Sequence, residues 1–200
     1  NEFSLLETIL WTPRDGYLLL EKHIERMRDS AEYFGFSFSR EHIKQHLEKL
    51  SAEFPSPQRI RVLVNRIGEV NIETKEFQIQ ENPFKVCLSN QPINSSEIFL
   101  YHKTTNRNIY PSPIHGMEDV FLYNENDELT EFIIGNLVVE INGELFTPPL
   151  SCGLLAGTFR EYLLETQQIK ERVIRKDEIQ RCTKIFLINS VRKWVEVEIN

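Results

Sequence analysis

The sequence predicts an α+β protein in two parts: a small α/β part over residues 1–95 and a larger, β-rich part over residues 96–200. Three observations predict it. Helical periodicity is concentrated in the first third and in one segment near residue 160, while alternation of period two governs most of the remainder. A polar run, Gln91-Pro-Ile-Asn-Ser-Ser96, reads as a connection between two compact parts. Hydrophobic residues make up 40% of 200 positions, which is ample for packed cores.

The elements follow in order. Ile24, Met27, Ala31 and Phe34 recur at helical spacing from Glu21 to a stop at Gly35, and Ile43, Leu47, Leu50 and Phe54 do the same after Ser39. From Arg59 the period becomes two, with Ile60, Val62 and Val64 on one face, a turn near Ile67-Gly68, and a return strand through Val70 and Ile72. Residues 84–89 read as a further strand. The second part opens with Phe99-Leu-Tyr-His-Lys-Thr-Thr-Asn-Arg107, then Ile109-Tyr-Pro-Ser-Pro-Ile-His-Gly116, whose prolines exclude a helix or central strand and predict a loop over a site. Val120–Tyr123 and Leu137–Ile141 read as strands, the latter joined to Glu144–Thr147 by an Asn142-Gly143 turn. A helix is expected from about Thr158 to Thr166, a short one over Asp177–Cys182, and strands at 184–189 and 194–199. No internal repeat is present.

Charge and composition narrow the function classes. Lys and Arg number 23 against 30 Asp and Glu, a net charge of -7 with no basic cluster, which argues against a nucleic-acid partner. No apolar stretch approaches the roughly 20 residues of a membrane helix, and the first residues lack a charged start followed by an apolar run, so a soluble, cytoplasmic protein is expected. Cys87, Cys152 and Cys182 are isolated and odd in number, indicating neither a disulfide framework nor a metal site; buried packing is their expected role.

Lys103 is the most informative residue. A lysine amine forms a Schiff base with pyridoxal 5'-phosphate, and an acidic partner keeps the pyridine nitrogen protonated so that the ring withdraws electrons. Glu131, in Glu128-Leu-Thr-Glu-Phe-Ile-Ile-Gly-Asn136, supplies that carboxylate, with Asp119 as a reserve. A phosphate ester needs N–H donors and a cation. Gly153-Leu-Leu-Ala-Gly-Thr-Phe-Arg160 runs a glycine-flanked turn into a helix, which points backbone amides at an anion. Asn189-Ser190 adds a hydroxyl and an amide at a strand end, and Arg26 a cation. Singly, a strand-end lysine is usually a surface charge and a helical arginine usually solvated, so the combination carries the argument. No Ser/His/Asp or Cys/His arrangement can be assembled, and His23 and His42 are expected to face solvent or cap packing.

These residues, in this order, resemble the class IV aminotransferase family, the fold-type IV pyridoxal phosphate enzymes with a D-amino-acid aminotransferase-like fold. The resemblance rests on Lys103, Thr130-Glu131, Gly135-Asn136, Thr147-Pro-Pro149, Gly153 to Arg160 and Asn189-Ser190. Tyr101 to Arg107, Asp119 to Glu125, Asn136 to Val139, Thr147 to Leu155 and Ile188 to Trp194 are most similar to the aminodeoxychorismate lyases, especially lyase domains fused to aminodeoxychorismate synthase component I. Phe3 to Thr8 and His23 to Met27 extend it over nearly the whole chain. The resemblance implies that Lys103 carries the cofactor, that Glu131 contacts the pyridine nitrogen, and that Arg26, the amides of Thr158 and Phe159, and Ser190 hold the phosphate while Leu155 packs on the ring. It implies a small-molecule amine substrate, elimination to 4-aminobenzoate and pyruvate, a homodimer, and contact with a synthase. Arg61 and Arg107 are the candidates for substrate carboxylates. Transamination of branched-chain or D-amino acids and a non-catalytic domain of the same fold are the alternatives. Two departures stand out: the opening strands usual before Phe3 are absent, placing the N-terminal sheet and dimer edge in question, and Gly-Thr-Phe-Arg replaces the commoner Gly-Ile-Thr-Arg, removing one hydroxyl from the phosphate site.

Overall fold

A computed structural model describes residues 2–81 and 83–200. They divide into two compact units, the first taken from Asn1–Gln80 with His102–Asn106 and the second from Glu81–Tyr101 with Arg107–Asn200.

The first unit is an antiparallel sheet with two helices. Its strands are β1 (Leu5–Thr12), β2 (Gly16–Tyr17), β3 (Gln58–Val64) and β4 (Val70–Glu76), in the order β2-β1-β3-β4, so the N-terminal sheet is formed. Helices α1 (Leu20–Phe34) and α2 (Arg40–Ser51) begin where the spacing predicts; α1 also stops as predicted at Gly35, whereas α2 ends at Ser51, short of Phe54. Gly35 closes α1 at φ 70, returning its N–H to Ala31 and Glu32. Ser39 Oγ accepts from His42 N at 3.2 Å at the start of α2. Leu5, Ile9, Ile60, Val62 and Val64 pack with Met27, Ala31, Ile43 and Leu47 as the core. Strand β1 escaped the periodicity argument because Leu5, Leu6, Ile9 and Leu10 are buried on both parities, erasing the alternation of a half-buried strand.

The second unit is built on eight strands: β5 (Phe84–Leu88), β6 (Asp119–Tyr123), β7 (Leu129–Phe132), β8 (Asn136–Ile141), β9 (Glu144–Thr147), β10 (Lys170–Glu171), β11 (Lys184–Asn189) and β12 (Lys193–Ile199). Their order is β10-β9-β8-β11-β12-β5-β6-β7, and β7 also pairs with β8 through Glu131 and Asn136. Six strands therefore close on themselves, which removes the exposed edges an open sheet would present. Val86, Phe121, Leu129, Phe132, Leu137, Val139 and Leu187 fill the principal core. Asn142 and Gly143 turn β8 into β9 at φ 52 and 78. Helix α3 (Thr158–Glu165) agrees with expectation, whereas the short helix at the C-terminal end is a 3-10 helix over Lys176–Arg181. The Pro-rich run 109–116 is irregular, and its Ile109, Tyr110 and Ile114 pack against Val120 and Leu122 on the second buried face of β6.

The division differs from a boundary at residue 95. Residues 81–101 belong to the second unit because β5 pairs in parallel with β6 and β12, and because Ile93 N donates to Tyr123 O at 2.8 Å. The polar run 91–96 spends its polarity inside that unit, where Ser95 N donates to Glu125 Oε2 at 3.0 Å. Residues 102–106 return to the first unit, alongside the end of β1 that β2 leaves open: Leu6 N donates to Lys103 O at 3.1 Å and Thr105 N to Ser4 O at 2.9 Å. Only Cys152 among the cysteines is buried; Cys87 and Cys182 are half-buried. Among the described residues no helix is long and apolar enough to cross a membrane.

Candidate active site

In the first unit the backbone holds Lys103 beside β1, with Thr104 bridged to Leu5. Its predecessor His102 receives three restraints from α1: a 2.8 Å hydrogen bond between Nδ1 and Ser30 Oγ, a stack with Tyr33 at 4.6 Å, and an edge contact with Phe34 at 4.8 Å. Arg26 does not project as an isolated cation. It meets Glu7 side-on, Nε to Oε1 at 2.7 Å and Nη2 to Oε2 at 2.6 Å. The same Oε2 lies 2.6 Å from His23 Nδ1. Burial alone would raise the Glu7 carboxyl, but Arg26 and His23 outweigh it and bring it down to about 2. His23 is itself 1% exposed, so of the two expected environments, solvent or packing, it does not take the solvent one. Burial lowers its pKa against the pull of Glu7, and the charges of Arg26 and Lys103 act in the same downward sense. An ionised Glu7 only accepts, so neutral His23 carries its proton on Nδ1 and donates.

In the second unit Glu131 lies in β7 at 4% exposure, and Leu155 N donates to its Oε2 at 2.7 Å. Asn136, opposite Glu131 in β8, sends Nδ2 to Leu155 O at 2.9 Å, so one loop residue is gripped through both backbone groups. Gly157 follows, and a Cβ there would stand 1.9 Å from Asn136 Oδ1. As N-cap of α3 Gly157 brings no capping side chain, and Thr158 and Phe159, both buried, form the first turn. Arg160 is spent structurally, with Nη2 on Pro148 O at 3.0 Å and on Glu171 Oε2 at 2.8 Å. Ser190 is buried just beyond β11. Its neighbour Asn189 builds the turn there: Oδ1 accepts from Val191 N at 3.1 Å and Arg192 N at 2.8 Å, and Nδ2 donates to Ile134 O at 3.0 Å.

Asp119 serves a different purpose from that of reserve acid. Its carboxylate accepts from Val120 N at 2.6 Å, Ile133 N at 2.8 Å and Ile134 N at 3.1 Å, fixing the turn from β7 to β8. Arg107 Nη2 donates to Ile133 O at 2.6 Å, and its guanidinium lies 4.5 Å over the Tyr110 ring. Arg61 sits on the sheet face opposite the helices, paired with Glu73 across β3 and β4 at 2.8 Å. Glu7 and Asn136 were missed as functional residues. Glu7 has a signal in retrospect: it is the one charged residue in a strand of apolar residues and threonines, and such a charge must be paired when buried.

The donor set fits a phosphorylated pyridine aldehyde. The first unit offers a lysine amine and, at Arg26, a cation held in a fixed orientation; the second offers a buried carboxylate at Glu131 and a helix that starts on a glycine N-cap. Comparison with known proteins points the same way. The model of the family described as "Amino-transferase class IV" matches residues 4–199. A Schizosaccharomyces pombe protein named "Putative aminodeoxychorismate lyase" is 32% identical over 96% of this chain and 88% of its own length. The crystal structure of a "Putative amino-acid aminotransferase" from Mesorhizobium loti superposes with TM-score 0.92 at 26% identity, covering 99% of this chain and 100% of that one. A "Putative 4-amino-4-deoxychorismate lyase" from Legionella pneumophila shares the fold at TM-score 0.85 and 20% identity, over 98% of this chain and 82% of that one. The chain therefore belongs to the class IV aminotransferase family, whose members are pyridoxal phosphate-dependent enzymes.

Proposed function

We propose that this protein is a pyridoxal phosphate-dependent lyase that converts 4-amino-4-deoxychorismate to 4-aminobenzoate and pyruvate, a step toward folate. The observation that carries the proposal is the 32% identity, over 96% of the chain, to the S. pombe protein of that name. Lys103 would hold the cofactor, with Arg26, the amides of Thr158 and Phe159, and Ser190 on the phosphate, Leu155 on the ring face, and Glu131 on the ring nitrogen. When bound, the cofactor supplies an electron sink for the substrate carbon that bears the amine.

The chain's own residues do the rest. The Glu131 carboxylate would hold a proton at the ring nitrogen, and the Leu155 amide, donating to Oε2, aims that carboxylate. Lys103 Nζ, as a neutral amine, would take the proton from the amine-bearing carbon of the substrate. The electron pair left on that carbon would form the last ring double bond as the adjacent C–O bond breaks, and the enolpyruvate released would take up a proton from the Lys103 ammonium and tautomerise to pyruvate. Of the two candidate substrate arginines, Arg107 has the better credentials, since Tyr110 and Ile133 O orient it, whereas Arg61 is already matched by Glu73.

A second reading, amino-acid transamination, is favoured by the M. loti structure, which has a nearly identical extent and fold. One experiment separates the two. Purified protein is incubated with pyridoxal phosphate and aminodeoxychorismate generated in place, and 4-aminobenzoate is followed by fluorescence; a parallel sample receives amino acids and a keto acid. Protein-dependent 4-aminobenzoate and pyruvate, lost in Lys103→Ala, is the expected result. Amino-group transfer alone would refute the lyase reading and leave the family role of Lys103 standing.

A further inference from the structure

Outside the residues just assigned, the first unit carries one buried polar cluster that the proposed chemistry does not use: Glu7, His23 and the inner edge of Arg26. Burying a carboxylate is costly unless it is fully paired, so a charge placed in the middle of β1 calls for a reason. Glu7 shares the face of β1 that bears Leu5 and Ile9, and it stands opposite Val62 of β3, inside the core beneath α1. It reaches α1 at two points. Arg26 is met side-on at 2.7 and 2.6 Å, and His23, three residues earlier and so on the same helix face, is met at 2.6 Å. A side-on pair of this kind uses Nε and Nη2 and fixes the plane of the guanidinium. The Nη1 edge is then turned away from Glu7, on a side chain that is 14% exposed while its partner is 3% exposed. An arginine on its three-carbon stem would otherwise sample many rotamers, and ordering it on ligand binding would weaken affinity.

We infer that Glu7 and His23 are positioning residues: together they lock the Arg26 guanidinium so that it meets a phosphate ester already oriented. The inference rests on the proposal that Arg26 holds the phosphate of pyridoxal phosphate. His23 serves by fixing Oε2 of Glu7, so that both carboxylate oxygens have one permitted arrangement. The same helix is tied to the lysine segment, since Ser30 Oγ of α1 lies 2.8 Å from Nδ1 of His102, the neighbour of Lys103.

The test compares two ligands that differ only in the phosphate. Pyridoxal phosphate and pyridoxal are titrated into the cofactor-free full chain, wild type and variants, with dissociation constants read from absorbance. Glu7→Gln keeps the shape and removes the charge; it is expected to weaken pyridoxal phosphate by about 10-fold or more. Pyridoxal affinity is expected to stay within about 2-fold, because the lock does not touch the ring. His23→Ala is expected to show the same phosphate-selective loss in milder form, and His23→Asn, whose amide replaces the Nδ1–H donor, to restore it. If Glu7→Gln does not fold, the two His23 variants decide. Equal weakening of both ligands would mark the cluster as structural and overturn the inference, as would unchanged pyridoxal phosphate affinity or failure of His23→Asn to differ from His23→Ala. A wild-type protein that binds neither ligand would sink the cofactor proposal itself, and this inference with it.

Discussion

Replacing Gly157 by Ala should be costly for a reason visible in a single distance. The new methyl carbon would stand 1.9 Å from Asn136 Oδ1 and 3.2 Å from its Cγ, where real contacts stay above 3.0 Å. Gly157 adopts φ -61 and ψ 140, which alanine accepts, so the penalty is packing and not backbone strain. The Asn136 carboxamide has to withdraw by about 1 Å in a close-packed interior, which costs roughly 1–3 kcal/mol. Withdrawal also breaks the 2.9 Å bond from Asn136 Nδ2 to Leu155 O, leaving a buried donor unsatisfied for roughly another 1–3 kcal/mol. Together these give a loss of about 2–6 kcal/mol, read as a lower midpoint in urea denaturation. Asn136→Ala removes the obstacle as well as the bond, so the double variant should cost less than the sum of the two singles by about 1–2 kcal/mol. Gly157→Ala within about 0.5 kcal/mol of wild type, or strictly additive costs, would refute the reasoning.

Three further outcomes follow from the same geometry. Glu7 is held at about 2 when folded against an ordinary value of 4.5, so its contribution to stability is present above pH 4.5 and is lost as pH falls toward 2. The loss is on the order of 3 kcal/mol, with neutral His23 adding to it below its own ordinary pKa; Glu7→Gln should flatten that part of the curve of urea stability against pH. Asn189→Ala removes the acceptor for Val191 N and Arg192 N, and it should cost about 1–2 kcal/mol in denaturation while weakening pyridoxal phosphate binding through displacement of Ser190. Arg61→Ala breaks a half-exposed ion pair only, so thermal stability should change by less than about 0.5 kcal/mol; a larger loss would mean that Arg61 packs more than it pairs.

Much of the architecture is legible in local chemistry. Gly35 and Ser39 mark the two helix ends in sequence and in structure, and Asn142-Gly143 turns a hairpin because both positions need positive φ. Strand β1 is not legible, because burial on both faces erases the alternation that identifies a strand. Nor is the place of residues 102–106: their pairing with Ser4 and Leu6 spans about a hundred residues, and no local rule reaches that far. The polar run 91–96 reads as a linker on composition, yet it is hydrogen-bonded into the second unit by Ile93 and Ser95.

The candidate site divides along the same line. Lys103, Glu131, the glycine-flanked turn and Ser190 are the proposed groups that residue type and order single out, since a pyridoxal phosphate enzyme needs a lysine, an acid and an anion-binding turn whatever the fold. The supports of those groups have no such signature. That Glu7 seizes Arg26 and His23, that Asn136 grips Leu155, and that Asp119 is consumed by three backbone amides depend on which strands become neighbours. A buried charge or amide acquires its partner from tertiary packing, and distance along the chain carries no record of that choice.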